Sequence, residues 1–316
     1  MSPLSIPFSL SALRAASAGL RPPVAIALGP EGVVAGTAGA ENAMIQIAGA
    51  ALSAGVIHPS IVETNLTQPA ETIAAIRAAL AGVEPRGRAA TMIVPDAAVR
   101  IFLLDFDTFP TRRDEALPIL RFRLRKSVSF DVEHAGVSFQ ILSEGSARTQ
   151  TPWKIMAILM PGAVREEYEG VARAAGLEPG VVLPASLASL CPLHSQQAEL
   201  IAFHSRCSLT IAIVSGSDFL LHRTSDLSSE TGSQRTEIQR AIAVSCAFFE
   251  DTLRAAPSRI LYAGALPRAE FASIINEASM TVEPMVDLAA LPNATGIADH
   301  LSGLASTVVA ALTGAR

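Results

Sequence analysis

The residues best placed for chemistry on an anionic ligand lie in the stretch RPPVAIALGPEGVVAGTAG, residues 21 to 39. Val24, Ile26 and Leu28 alternate toward the turn Gly29-Pro30-Glu31-Gly32, and Val33 and Val34 begin a returning strand. Such a strand, glycine turn and strand lets backbone N–H groups approach a phosphate, because glycine accepts the turn and puts no side chain in the way. Phosphoryl transfer also needs a metal held by carboxylates and a positioned water. The position before Leu28-Gly29 is Ala27, and Pro30 removes one donor from the turn. The hairpin therefore has the outline of a phosphate loop without its acid.

Other candidate chemistry is sparse. Asp105 and Asp107 stand two apart on a predicted strand and share a face, which could ligate a cation; a solvated strand end is the plainer account. The histidines, His58, His134, His194, His204, His222 and His300, show no metal-binding spacing, and no Gly-x-Ser-x-Gly elbow occurs. Cys191, Cys207 and Cys246 are odd in number and lack metal or redox spacing, which points to buried thiols in a reducing compartment. The acceptor-like Asn65-Leu66-Thr67 and Asn293-Ala294-Thr295 carry no meaning in such a setting.

The elements that would position these residues follow from composition and period. A chain of 316 residues is long enough for two domains at about 150 each. Half of it is hydrophobic but only 5% aromatic, so Ala, Leu, Val and Ile carry the core, as in α/β proteins. A net charge of −5 argues against a general nucleic-acid binder. No window is long and apolar enough for a membrane span, and residues 1–21 read as a loose arm.

Along the chain, the opening hairpin leads to a third strand in ENAMIQIAG, a helix in AETIAAIRAALAG and a strand in AATMIVP. VRIFLLDF is a strand, TRRDEALPILRFRLRKSV a charged helix with Thr111 as candidate cap, and AGVSFQIL and WKIMAILM two more strands. AVREEYEGVARAAG is a helix, VVLP a strand and ASLASL a short helix. From Leu200 the first pattern returns: strands LIAFH, SLTIAIV and DFLLHRT, a helix over Glu237 to Leu253, a strand RILYAG, then helices RAEFASIINEA and LSGLASTVVAALTG. Two β-β-β-α-β-α halves in one chain form an internal repeat.

That repeat resembles the actin-like ATPases, and its inserted strand-helix-strand-strand module is similar to the one in FtsA and in the pilus assembly protein PilM. The PilM family is favoured by FLLDFDTFPTRRDEALPILRFRLRKSVSFDVEHAGVSFQIL and by AVREEYEGVARAAGLEP, where Ala175-Gly176-Leu177-Glu178-Pro179 comes near a literal match. The resemblance implies an α/β fold of two ribonuclease H-like (actin-like) domains. The first spans 22–101 and 162–195 and carries the α+β module 102–161; the second, 196–316, has no lid, since only thirteen residues separate Arg223 from Glu237.

The family's phosphate loops carry acids and its adenosine turn a pair of glycines. Here the corresponding positions read Ala27, Gly29 and Pro30 in the first loop, His204 in the second, and Gly264 alone in the turn. A pseudo-ATPase without resident cofactor follows, with ATP–Mg disfavoured.

The helix after Thr111 is basic for an acidic chain. Arg112, Arg123 and Lys126 fall within about a sixth of its circumference, apart from an apolar stripe of Leu117, Leu120 and Leu124. Such a face suits anionic lipid or an acidic partner. By resemblance, the partner is the N-terminal peptide of a PilN-like inner-membrane protein, held in a groove lined from near Phe106, Phe109, Arg112 and Arg113. A motor ATPase and self-association are further expected contacts, at the cytoplasmic face of the inner membrane. The alternatives are an active actin-like ATPase or sugar-kinase relative, and the cytoplasmic domain of a GspL-type secretion protein.

Overall fold

A computed structural model describes residues 22–38, 45–146, 150–190, 193, 195, 197–216, 218–275, 280–291 and 297–313. The predicted arm at 1–21, Cys191, His194, Ser217 of the second hairpin turn, the end of the helix after Arg268 and Asn293 lie outside them.

The first sheet holds β1 (Val24–Gly29), β2 (Gly32–Ala38), β3 (Ile45–Ala51), β4 (Ala89–Val94) and β8 (Glu178–Pro184) in the order β3-β2-β1-β4-β8. β1 and β2 pair as an antiparallel hairpin from Val24↔Thr37 to Gly29↔Gly32, while β4 runs parallel to both β1 and β8. The second sheet repeats the plan with β9 (Ala198–His204), β10 (Ser208–Ser215), β11 (Asp218–Asp226), β12 (Arg259–Gly264) and β13 (Thr281–Pro284), ordered β11-β10-β9-β12-β13. Each half is therefore a three-stranded antiparallel meander continued by two parallel strands, the ribonuclease H-like pattern that the family resemblance implies. The fifth strand of the second half, β13, has no counterpart in that reading. It is four residues with an edge proline, paired parallel to β12 from Arg259↔Thr281 to Tyr262↔Pro284.

Helices cover the outer faces. α1 (Pro69–Ala81) and α3 (Gly162–Ala174) pack on the first sheet through Ala75, Ile76, Ala79, Val164, Tyr168 and Val171. α5 (Thr231–Leu253) and α6 (Arg268–Ile275) cover the second through Ile238, Ile242, Phe249, Phe271 and Ile274. α5 begins six residues earlier than expected and takes up most of the polar stretch before Glu237, so only Leu227 to Glu230 join it to β11.

The module comprises β5 (Arg100–Phe106), α2 (Arg113–Leu124), β6 (Gly136–Ser143) and β7 (Trp153–Met160), with sheet order β5-β7-β6. Strand alternation splits its residues between two cores. Ile155, Ala157 and Leu159 face α2, whereas Met156 and Leu142 join Ile201, Ala212, Val214 and Phe219 of the second half. The module thus bridges the halves. Two details of α2 differ from expectation. Arg112 occupies the cap position without a side-chain cap bond, so Thr111 is not used, and the buried stripe is Ala116, Leu120 and Leu124, with Leu117 only partly covered.

Between the sheets lie the short α4 (Ala185–Ser189) and α7 (Ser302–Thr313), whose residues Gly303 through Leu312 are all buried. A helix covered on every side must be apolar all round and small where backbones meet. Gly303 lies on the backbone of Gly264, where an added Cβ would sit 2.8 Å from main-chain atoms. Gly303→Ala is expected to lower stability by about 1–3 kcal/mol through overpacking. The exposed mid-helix Gly170, with open space around it, is expected to gain up to about 1 kcal/mol as Gly170→Ala. Urea midpoints of the two variants should move in opposite directions.

Candidate functional site

The turns that would hold a nucleotide converge on the N-terminus of α7. Leu301 packs at Gly32, Leu304 at Gly29, and the Ser302 hydroxyl donates to the Gly264 carbonyl at 3.0 Å. The β9–β10 turn joins them where the Ala265 N–H donates to the His204 carbonyl, also at 3.0 Å. The sequence therefore brings the predicted loop residues together, but packs them against one another.

Ala27 is fully buried, paired with Val34 and Ile93, and belongs to the apolar cluster around α7. A carboxylate at that position would stand among methyl groups. The acid of this hairpin is instead Glu31, in the turn itself and 2% exposed. Its Oε1 accepts the backbone N–H of Arg206, in the opposite turn, at 2.5 Å. Its Oε2 lies 2.5 Å from where a side chain on Gly29 would begin and has no partner among the described residues. Burial pushes the Glu31 carboxyl up, opposed by the Arg206 amide. The space that Gly29 leaves open and the Arg206 amide are both engaged by the protein's own carboxylate.

The other loop positions are equally closed. Tyr262 covers one side of Gly264 and Gly303 the other. His204 points away from the loops, toward Phe271 at 6.5 Å between centroids, in the core that also holds Tyr262. It is 2% exposed and neither ring nitrogen has a partner among the described residues. His204, which the sequence places in the second loop, is an imidazole in an apolar core. Burial lowers its pKa to about 4. The remaining cavity beside Gly264, lined by Tyr262, Arg268, Asp287, Ser302 and Ser306, holds about 220 Å³. That is below the roughly 300–1,000 Å³ of ordinary small-molecule sites.

A second buried carboxylate crosses between the halves. Asp96, 1% exposed in the turn after β4, accepts the Ser186 N–H at 3.2 Å, the Ser186 hydroxyl at 2.8 Å and the Thr210 hydroxyl at 3.1 Å. The Ser186 proton is thereby committed, so the partly buried His222, 2.9 Å from Ser186 Oγ, must donate through Nε2. Ser, His and Asp meet here, yet the imidazole donates to the serine where a general base would accept. The arrangement binds the halves and does not activate a nucleophile. The sequence reading missed both Glu31 and Asp96, although each is a lone acid in a turn directly following an apolar strand.

The expected partner-binding residues differ in exposure. Phe109 is 6% exposed and the partly buried Phe106 lies tilted against it at 5.0 Å between centroids, both packed in the module's core with Phe139. Arg112 is held by Asp114 at 2.6 Å and Glu115 at 3.3 Å. Arg113, Arg123 and Lys126 are exposed and form no ion pair among the described residues. Asp105 is on β5, but Asp107 is beyond its end, and no metal-type cluster of acids, His and Cys occurs among the described residues.

No family model matches this chain and no curated protein matches its sequence. Among solved structures, a chain described as the PilM-PilN type IV pilus biogenesis complex superposes with a TM-score of 0.72 at 14% identity, covering 93% of this chain and 98% of that one. The fold is the same. Looser likenesses, too weak to fix a fold alone, are the cytoplasmic domain of EpsL from the Vibrio cholerae type II secretion system (TM-score 0.48, 13% identity, 77% and 82% covered) and a Bacteroides thetaiotaomicron protein with an actin-like ATPase fold (0.47, 10%, 82% and 89%). The two repeated sheets and their bridging module thus form an actin-like α/β architecture of the type seen in the PilM-PilN structure.

The buried groups give the fold a signed pH dependence. Burial lowers His204 and His222 to about 4, so each removes about 1.4 kcal/mol of stability per pH unit as pH falls from about 6.5 toward 4. Burial raises Asp96 to about 6; between about 6 and 4 its proton is held by the folded state and adds stability at the same rate. In that window the two histidines therefore oppose Asp96 and Glu31, whose carboxyl is also raised by burial. His204→Phe is expected to remove the His204 share of the acid-side loss, a change in slope of about 1.4 kcal/mol per pH unit, and to leave the urea midpoint at pH 7.5 no lower. An unchanged slope would show that His204 gains its proton without penalty.

Proposed function

We propose that this protein is a scaffold of a type IV pilus or related secretion assembly, working at the cytoplasmic face of the inner membrane without turning over ATP. The observation that carries the second half of the reading is the Glu31–Arg206 contact. A backbone N–H that would receive a phosphate instead receives a buried carboxylate from the facing turn. Ala27 supplies no replacement for the metal-binding acid, and two closed glycine faces leave no bed for a nucleoside. The fold supports the first half of the reading, since a chain of the PilM-PilN structure is matched along nearly its full length.

In this reading the partner is the N-terminal peptide of a PilN-like protein, received as an extended segment along the boundary between module and first half. Main-chain pairing at a strand edge would supply affinity, and alternate side chains would enter apolar recesses. Among the described residues, no helix is long and apolar enough to cross a membrane, and such a partner would hold the protein at one without a span.

Titration calorimetry separates the alternatives. Mg–ATP is expected to give no heat and no rise in melting temperature up to millimolar concentration, because a ligand binding only the native state must stabilise it. The PilN-like N-terminal peptide is expected to bind at micromolar strength or better. Micromolar Mg–ATP binding with turnover would instead favour the active actin-like ATPase. Silence toward the peptide would remove the scaffold reading. Glu31→Ala, by leaving the Arg206 amide buried and unpaired, is expected to cost about 1–3 kcal/mol, whereas Glu31→Gln keeps an acceptor and should cost less.

A further inference from the structure

We propose that the outer face of α2 docks directly on an anionic membrane surface. Along this helix Ala116, Leu120 and Leu124 are buried against the module's sheet. At about 100° per residue the opposite line runs through Pro118, Phe122 and Arg125, with Ile119 and Lys126 beside it. Phe122 is 71% exposed and Ile119 40%, the two large apolar side chains that the module leaves in solvent among the described residues. Apolar groups on a ridge of this kind have no protein surface to cover them.

The charges around the ridge decide its occupant. Arg123, Arg125 and Lys126 close the helix at its C-terminal end, all exposed and without an ion pair among the described residues. The Arg125 guanidinium lies 5.0 Å from the Phe122 ring centroid, so a cation and an aromatic are presented as one unit. The nearby acids are largely engaged: Arg112 holds Asp114 and Glu115, and His134 holds Asp131 at 2.6 Å. Glu133 flanks the trough on the far side of Phe122. The chain as a whole carries −5, so this basic end runs against its overall sign.

A short apolar wedge ringed by long cationic side chains suits a lipid interface. The ring and the isoleucine would enter at headgroup depth while Arg and Lys reach lipid phosphates by extending along their stems. The face joins an exposed aromatic ring to a basic end set against the chain's overall −5, and a surface that takes up apolar groups and cations together is an anionic membrane, which is the occupant argued for. The readout is binding of the chain alone to vesicles, so the proposal does not depend on the partner peptide.

The test is co-sedimentation of the full chain with vesicles of phosphatidylcholine alone and of phosphatidylcholine with phosphatidylglycerol, at low and at physiological salt. Binding is expected only to the anionic vesicles, falling as salt rises. Phe122→Ala is expected to reduce partitioning about tenfold. Arg123→Gln with Lys126→Gln is expected to reduce it by tenfold or more, at about fivefold per basic residue. Both variants change exposed side chains, and unchanged thermal melting would establish that they fold. Equal binding to neutral and anionic vesicles, or no effect of Phe122→Ala, would overturn the proposal. So would binding to a poly-glutamate peptide that displaces the vesicles and ignores Phe122→Ala, which would assign the face to an acidic protein.

Discussion

The structure depends on the burial of one helix between two sheets. α7 touches β1 and β2 of the first half and β12 of the second, and almost every residue from Gly303 to Leu312 is removed from water. Fully burying a Val or Leu side chain contributes about 1.5–3 kcal/mol. Leu304, Val308, Val309 and Leu312 all make that contribution within one apolar cluster that spans both halves. The steric condition is strict, since Gly36 lies under Val308 and Leu312, and Gly303 against Gly264. With this condition met, the two halves stand as close as their backbones allow, and the turns at their facing ends come into direct contact. A cleft that opens around a ligand would have to give up that packing.

At such close quarters polar groups matter by how they are satisfied. Glu31 and Asp96 are both buried, both acidic and both accept hydrogen bonds from the other half. Neither is paired with a buried cation. Each takes on part of the role that an anion between the halves would play, by collecting donors that point inward. Net stabilisation from such groups is modest and can be negative. What they define is alignment, because a slip of either sheet would strand a buried carboxylate without donors.

Much of this architecture was legible in the residues. Period-two patterns gave the hairpin of β1 and β2, the repeat gave two sheets of like order, and the module's strands alternate so regularly that β5, β6 and β7 lie within a residue or two of where the sequence puts them. The misses have physical causes. β13 is too short to show a period, and its proline reads as a breaker. The first turn of α5, Thr231-Gly232-Ser233, looks like a loop by propensity and is drawn into a helix by the packing that follows it. Phe106 and Phe109 could equally have lined a groove or a core, and only the third ring, Phe139 on a distant strand, decides for the core. Glu31 and Asp96 escaped because a lone acid in a turn is usually solvated; their burial comes from the other half of the chain, which no local pattern records. The absence of an acid before Leu28-Gly29, by contrast, was plain at Ala27, which is buried on the α7 side.

The order in which these parts leave the ribosome has its own consequence. Every strand of both sheets precedes α7 in the chain, so each sheet is complete while the face meant for that helix is still bare. During synthesis at about 5–20 residues per second, the inner faces of two finished sheets wait in water for the segment that joins them. In that interval Ala25, Ala27, Val34 and Phe203 form exposed apolar surface on strands that are already paired. A nascent chain of this protein is therefore a natural client for chaperones, and its two halves mature together, at the moment the last helix inserts.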